Sequence, residues 1–175
     1  DRQRRAAPPF ITSTLQQEAS RKLGYNARRT MMIAQRLYEG VETGEGTVGL
    51  ITYMRTDSVN LASVAIDESR GFIARRYGSD KLPAQPRSYK TSAKNAQEAH
   101  EGVRPTSVAR TPESLRQFLS EEQFRLYDLI WKRTVACQMV PAVYDMVTVD
   151  LTPTREPAVA RLRASGPTLG VPVFI

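Results

Sequence analysis

The segment Ile51-Thr-Tyr-Met-Arg-Thr-Asp-Ser58 gathers a phenol, a guanidinium and a carboxylate at Tyr53, Arg55 and Asp57. In an extended backbone side chains alternate, so Tyr53 and Arg55 point to one face with Asp57 close behind. A phenol with a pKa of about 10 is a poor nucleophile at neutral pH unless a cation or metal stabilises the phenolate. Arg55 supplies such a cation, and its planar fork also suits the non-bridging oxygens of a phosphodiester. The pair therefore fits attack on a nucleic-acid backbone. The same residues equally fit a half-buried strand tyrosine beside a surface charge, so the local chemistry permits a nucleophile without selecting it.

The surrounding composition narrows the classes of partner. The chain has 175 residues, 25 Lys+Arg against 18 Asp+Glu and a net charge of +7. That length suits one domain, or one domain and part of another. With 41% apolar and 25% charged residues it lies in the range of chains that bury a core. The basic excess favours an anionic partner, nucleic acid rather than membrane, because no basic segment carries a strong apolar face. Eight basic residues oppose three acidic ones over 1–40, and seven oppose three over 81–120. One cysteine, Cys137, and one histidine, His100, exclude an internal disulfide, a multi-thiolate zinc site and a His-pair metal site. No apolar run approaches the roughly 20 residues of a membrane span, and the first residues lack the apolar core of a signal peptide. A cytoplasmic protein with no membrane partner is expected.

The elements that must position Tyr53 are read from periodicity and punctuation. No proline interrupts 10–82, which suits helices. Ser13 and Gln16 have capping-box spacing ahead of a helix over 14–23, stopped by Gly24. Asn26 caps a second helix whose inward residues are Thr30, Ala34, Leu37 and Tyr38, ending at Gly40. Residues 41–46 read as loop, and 48–54 as a short extended segment. Asp57 or Ser58 then caps a helix to about Arg76, with Leu61, Val64, Ala65, Phe72 and Ile73 inward. A polar loop follows over 79–94, with a short helix around 96–101. Thr111-Pro112 and Ser120-Glu-Glu-Gln123 mark two further helix starts, the second leading a wide apolar helix over 121–139. After Pro141, Val143, Val147, Val149 and Leu151 alternate, as do Ala160, Leu162 and Ala164 beyond a turn over 152–157, which predicts two paired strands. The chain ends on Val-Phe-Ile, in what reads as another strand without a polar tail, so a piece of a longer polypeptide is expected.

Five blocks in order, PFITSTLQQEASRKLGY at 9–25, TMMIAQRLYE at 30–39, GLITYMRTDSVNLA at 49–62, NAQEAHEGVRPT at 95–106 and LYDLIWKRTVACQM at 126–139, resemble the bacterial type IA DNA topoisomerases. The resemblance implies that Tyr53 is the active-site tyrosine. It would attack a phosphodiester of single-stranded DNA, form a 5′-phosphotyrosine link and free a 3′ hydroxyl, during relaxation of negatively supercoiled DNA. Arg55 would contact the scissile phosphate. His100 would lie near the DNA strand, its alternative being a lone histidine packed at a helix end, and Arg104 is a further candidate for DNA binding. Thr52, Asp57 and Ser58 would support the nucleophile's loop, Asp57 being equally suited to a helix cap.

The family's Mg²⁺ ligands belong to a separate Toprim domain, whose DxD-containing pattern is not found here. The resemblance therefore implies Mg²⁺ bound outside this chain, no metal site within it, and no activity from the chain alone. It also implies a mainly α fold: 1–9 a linker from an arch domain, 10–125 a compact helical strand-cleaving domain, and 126–175 a helix and antiparallel β-strands returning into the arch. The partners implied are single-stranded DNA and the Toprim domain and arch of the same polypeptide. The reading from a different class is a non-catalytic helical module that binds single-stranded nucleic acid.

Overall fold

In a computed structural model the chain is described over residues 2–44, 46–89, 101–151 and 162–171. Helices α1 (Thr12–Leu23), α2 (Ala27–Glu39), α3 (Ser63–Tyr77), α4 (Pro112–Leu115) and α5 (Glu121–Cys137) dominate the fold, as expected of a mainly α chain. Strand β1 (Arg2–Arg4) joins β4 (Ala142–Leu151) and β5 (Leu162–Val171) in an antiparallel sheet of order β1-β4-β5. A second pair, β2 (Val41–Thr43) and β3 (Gly46–Val48), forms a short hairpin after α2. The expected helix at 96–101 lies outside the described residues except for Glu101, and the turn at 152–157 and the strand at 173–175 lie wholly outside them.

Three helices begin where a side-chain cap was expected. Asn26 Oδ1 accepts from the Arg29 N–H at 2.8 Å, Thr111 Oγ1 from Ser114 at 3.3 Å, and Ser120 forms a reciprocal box with Gln123. Gly24, at φ +72°, closes α1 in the left-handed conformation, its N–H reaching the Ser20 carbonyl at 3.1 Å.

Two starts differ from expectation. Helix α1 begins at Thr12, with Ile11 as its cap residue and the Thr14 hydroxyl accepting the Ile11 N–H at 3.0 Å, so the Ser13 box is not used. Helix α3 begins at Ser63 rather than after Asp57 or Ser58, because the backbone of 58–60 is engaged elsewhere: Ser58 N–H donates to Thr56 Oγ1 and Asn60 N–H to Ser58 Oγ. The Ala62 N–H at the helix entrance donates to the Glu101 carboxylate at 2.6 Å, an anion where the helix dipole favours one.

Within 41–46, expected as loop, Val41–Thr43 form β2 and Gly46 opens β3. Thr43 Oγ1 donates to the Gly46 carbonyl and Thr47 Oγ1 to Glu42, local bonds that hold a pairing only three residues long. The expected extended segment at 48–54 is in the ladder only at its start. Beyond it, Ile51 forms an isolated bridge to Pro105.

The core gathers Phe10, Leu15, Ile33, Leu37, Leu50, Ile51, Met54, Ile73, Leu126, Tyr127, Ile130 and Val135. Trp131 and Phe72 meet edge to face at 5.5 Å, and the Trp131 indole donates to the Val108 carbonyl. Tyr38 and Val64, expected inward, are instead exposed. Tyr38, four residues beyond Ala34, stands at the edge of the stripe of Thr30, Ile33, Ala34 and Leu37 in the last turn of α2, where 41% of it is left open. On β4 the expected alternation places Val147, Val149 and Leu151 on one side of the strand, but none of the three is covered by the described residues.

Candidate active site

Along 53–58 exposure alternates residue by residue: Tyr53, Arg55 and Asp57 are open, while Met54, Thr56 and Ser58 are buried. That is the period of an extended strand, and it places phenol, guanidinium and carboxylate on the outer side. The segment is held by its neighbours on both sides rather than by a sheet.

On one side stands the entrance of α1. The Thr12 N–H donates to the Thr56 carbonyl at 2.9 Å, and the Thr12 hydroxyl lies 2.8 Å from the Met54 carbonyl and 3.1 Å from that of Thr56. The same hydroxyl accepts the Thr56 N–H at 2.9 Å. On the other side stands 102–106. The Thr52 N–H donates to the Arg104 carbonyl at 2.9 Å, the Thr52 hydroxyl donates to the Gly102 carbonyl at 2.9 Å, and it accepts the Arg104 N–H at 3.0 Å. Thr106 N–H donates to the Leu50 carbonyl at 3.0 Å.

Glycine is required where these strands cross. A Cβ on Gly102 would stand 2.9 Å from the Pro9 Cβ and 3.3 Å from the carbonyl oxygens of Phe10 and Ser58. A Cβ on Gly49 would stand 2.8 Å from the Tyr38 carbonyl oxygen, so only glycine lets α2's last turn lie against the approach to Tyr53.

Of the residues singled out from sequence, Tyr53, Arg55, Thr52, Asp57 and Ser58 lie on this one segment. Tyr53 is 43% exposed, and neither Arg55 nor Asp57 has an ion-pair partner among the described residues. Asp57 does not cap α3, which begins at Ser63. Ser58 is buried and its Oγ serves the turn into Asn60. Arg104 is brought beside Thr52 through its backbone, but its guanidinium is engaged with Glu101 at 2.7 Å and with the Pro105 carbonyl at 2.9 Å. His100 lies outside the described residues.

Two contributors escaped the sequence reading. Thr12 fastens the segment, and Tyr38 packs on Tyr53, ring centroids 5.3 Å apart and planes at 59°. The signal for Thr12 was a hydroxyl just after a buried Phe10, which is too common to single out.

No group of three or more His, Cys, Asp or Glu side chains suited to a metal occurs among the described residues. They do not fit a Mg²⁺ site. Asp57 is an exposed carboxylate two residues beyond Arg55.

The fold and this segment define a helical domain that displays a tyrosine and an arginine on the exposed side of an irregular segment fastened by hydrogen bonds from both flanks. Residues 1–168 match the family model described as DNA topoisomerase, and the chain belongs to the bacterial type IA DNA topoisomerase family. It is 59% identical over 176 residues to DNA topoisomerase 1 of Xylella fastidiosa, a match covering 100% of this chain and 21% of that protein. DNA topoisomerase 1 of Rickettsia felis is 52% identical over 171 residues, covering 98% of this chain and 22% of its own length. Full-length topoisomerase I from Thermotoga maritima superposes with a TM-score of 0.80 at 39% identity, over 96% of this chain and 26% of that one. The chain thus spans about a fifth to a quarter of the length of these relatives.

Proposed function

We propose that this chain is the tyrosine-bearing portion of a type IA topoisomerase, an isomerase that cleaves and rejoins one DNA strand by transesterification. The observation that carries the reading is the outward alignment of Tyr53 and Arg55 on a segment whose intervening residues are buried. In the step proposed, the Tyr53 phenol oxygen bonds to the scissile phosphorus and the bond to the 3′ oxygen breaks. The phenol proton is lost and the departing 3′ oxygen gains one. Arg55 holds the non-bridging oxygens as charge builds on them. The phosphotyrosine ester retains the bond energy, so attack by the 3′ hydroxyl reverses the step without ATP.

Thr52, Asp57 and Ser58 are assigned to supporting the segment, and His100 and Arg104 to DNA contact. For Arg104 this requires the guanidinium to exchange Glu101 for phosphate. The division into a linker at 1–9, a helical domain over 10–125 and a return toward an arch over 126–175 belongs to the same proposal. Helix α5 is continuous across 125 and 126. Mg²⁺ and the Toprim domain are placed outside this chain, single-stranded DNA is the substrate, and the cytoplasmic nucleoid is the site of action. No described helix is long and apolar enough to cross a membrane. Alone, the chain should not relax supercoiled DNA.

The test is covalent trapping. In the full-length enzyme, Tyr53→Phe is expected to give no protein–DNA adduct on a labelled single-stranded oligonucleotide while still binding it. Full adduct yield from that variant would remove Tyr53 as nucleophile. Salt-sensitive strand binding with no tyrosine-linked product from the unaltered enzyme would favour the non-catalytic binding module instead.

A further inference from the structure

Tyr38 and Tyr53 present two aromatic rings side by side on the outer surface, 41% and 43% exposed. Their centroid separation of 5.3 Å and tilt of 59° lie within the attractive range for aromatic pairs. The two rings stand on unequal supports. Tyr38 belongs to the last turn of α2, a helix anchored through buried Thr30, Ile33, Ala34 and Leu37. Tyr53 belongs to a segment without regular secondary structure, and its side chain has two torsions to settle.

The backbones of the two supports are locked together beside the pair. The Leu50 N–H donates to the Leu37 carbonyl at 2.7 Å, and Gly49 approaches the Tyr38 carbonyl so closely that a Cβ there would lie 2.8 Å from it. The helix therefore fixes where the Tyr38 ring is attached, and that ring meets the Tyr53 ring directly. Such a contact restricts rotation of the Tyr53 ring while leaving much of that residue open. In-line displacement at phosphorus depends on that alignment, because a phenol free to swing spends most of its time off the line of attack.

We infer that Tyr38 is a positioning residue for the transesterification, acting through its ring on Tyr53. The inference rests on the assignment of Tyr53 as nucleophile, and the ring of Tyr38 rather than its hydroxyl carries the effect. It makes Tyr38 the link between the packing of α2 and the geometry of attack.

The experiment uses the full-length enzyme with a labelled single-stranded oligonucleotide, measuring the single-turnover rate of adduct formation and, separately, the equilibrium affinity for the strand. Tyr38→Ala is expected to slow adduct formation roughly three- to tenfold with little change in affinity, and Tyr38→Phe to restore the rate. Since Tyr38 is 41% exposed at the edge of the stripe and outside the buried core, melting temperatures of both variants should stay near that of the parent. A parental rate in Tyr38→Ala would overturn the inference. So would a loss of affinity matching the loss of rate, which would put the ring on the DNA, or a Tyr38→Phe variant as slow as Tyr38→Ala. Tyr53→Phe, run alongside, separates the two levels: adduct from that variant defeats the nucleophile assignment itself, whereas adduct-free Tyr53→Phe with fast Tyr38→Ala defeats only the positioning role.

Discussion

Thr12 has one hydroxyl and serves three backbone groups with it: the carbonyls of Met54 and Thr56 and the N–H of Thr56. Replacing Thr12 by Val keeps the branched shape and strips away these bonds, leaving the Thr56 N–H without its acceptor. The expected cost is about 1–3 kcal/mol, read as a lower denaturant midpoint at unchanged slope. An unaltered midpoint would show that water replaces the hydroxyl freely. At this scale the sequence disclosed Tyr53 and Arg55 because alternation is a local property, two residues apart. It disclosed neither Thr12 nor Tyr38, whose roles arise from contacts across 42 residues in one case and between a helix end and a loop in the other. The Arg104 guanidinium is held by Glu101, three residues before it, and the same carboxylate faces the entrance of α3.

The helices were legible in proportion to how local their caps are. Asn26, Thr111 and Ser120 cap through their own side chains, and their helices start where expected. Helix α3 takes a carboxylate from Glu101, thirty-nine residues away, so its start was placed too early. The β2–β3 hairpin was missed because its Gly, Glu and Thr residues carry no apolar alternation to reveal a strand. Between these elements the tightest passage is Gly102, wedged among Pro9, Phe10 and Ser58. Gly102→Ala must displace backbone oxygens as well as the Pro9 ring. Overpacking of this kind is expected to destabilise by about 1–3 kcal/mol, measured by thermal or urea unfolding. A melting temperature equal to the parent's would mean the three segments separate without cost.

Across the whole molecule the buried acids set an alkaline limit. Burial in the α5 core pushes the Cys137 thiol up to about 12 from an ordinary value of 9.0, and burial pushes the Tyr89 phenol up to about 12 from 10.0. Burial raises the Tyr127 phenol as well, where its hydroxyl donates to the Arg110 carbonyl. Each group holds its proton more tightly folded than unfolded, so its contribution is complete below the unfolded pKa and declines as pH rises toward the folded one. Stability should hold to about pH 9 and fall steadily between about pH 9 and 12, followed as the urea midpoint against pH. A midpoint unchanged across that window would mean these groups ionise without unfolding the chain.

The Tyr53 segment lies between two strangers in the sequence, residues 10–12 before it and 102–106 after it, with Thr52 bonded to Gly102 across 50 residues. A chain made from its amino terminus therefore emerges with Tyr53 well before 102–106, the later of the two stretches that hold its segment. Pairings across such a separation form more slowly than local ones. The Tyr53 segment therefore gains its bonds to 102–106 late, so an interrupted chain carries the phenol on a segment fastened from the 10–12 side alone.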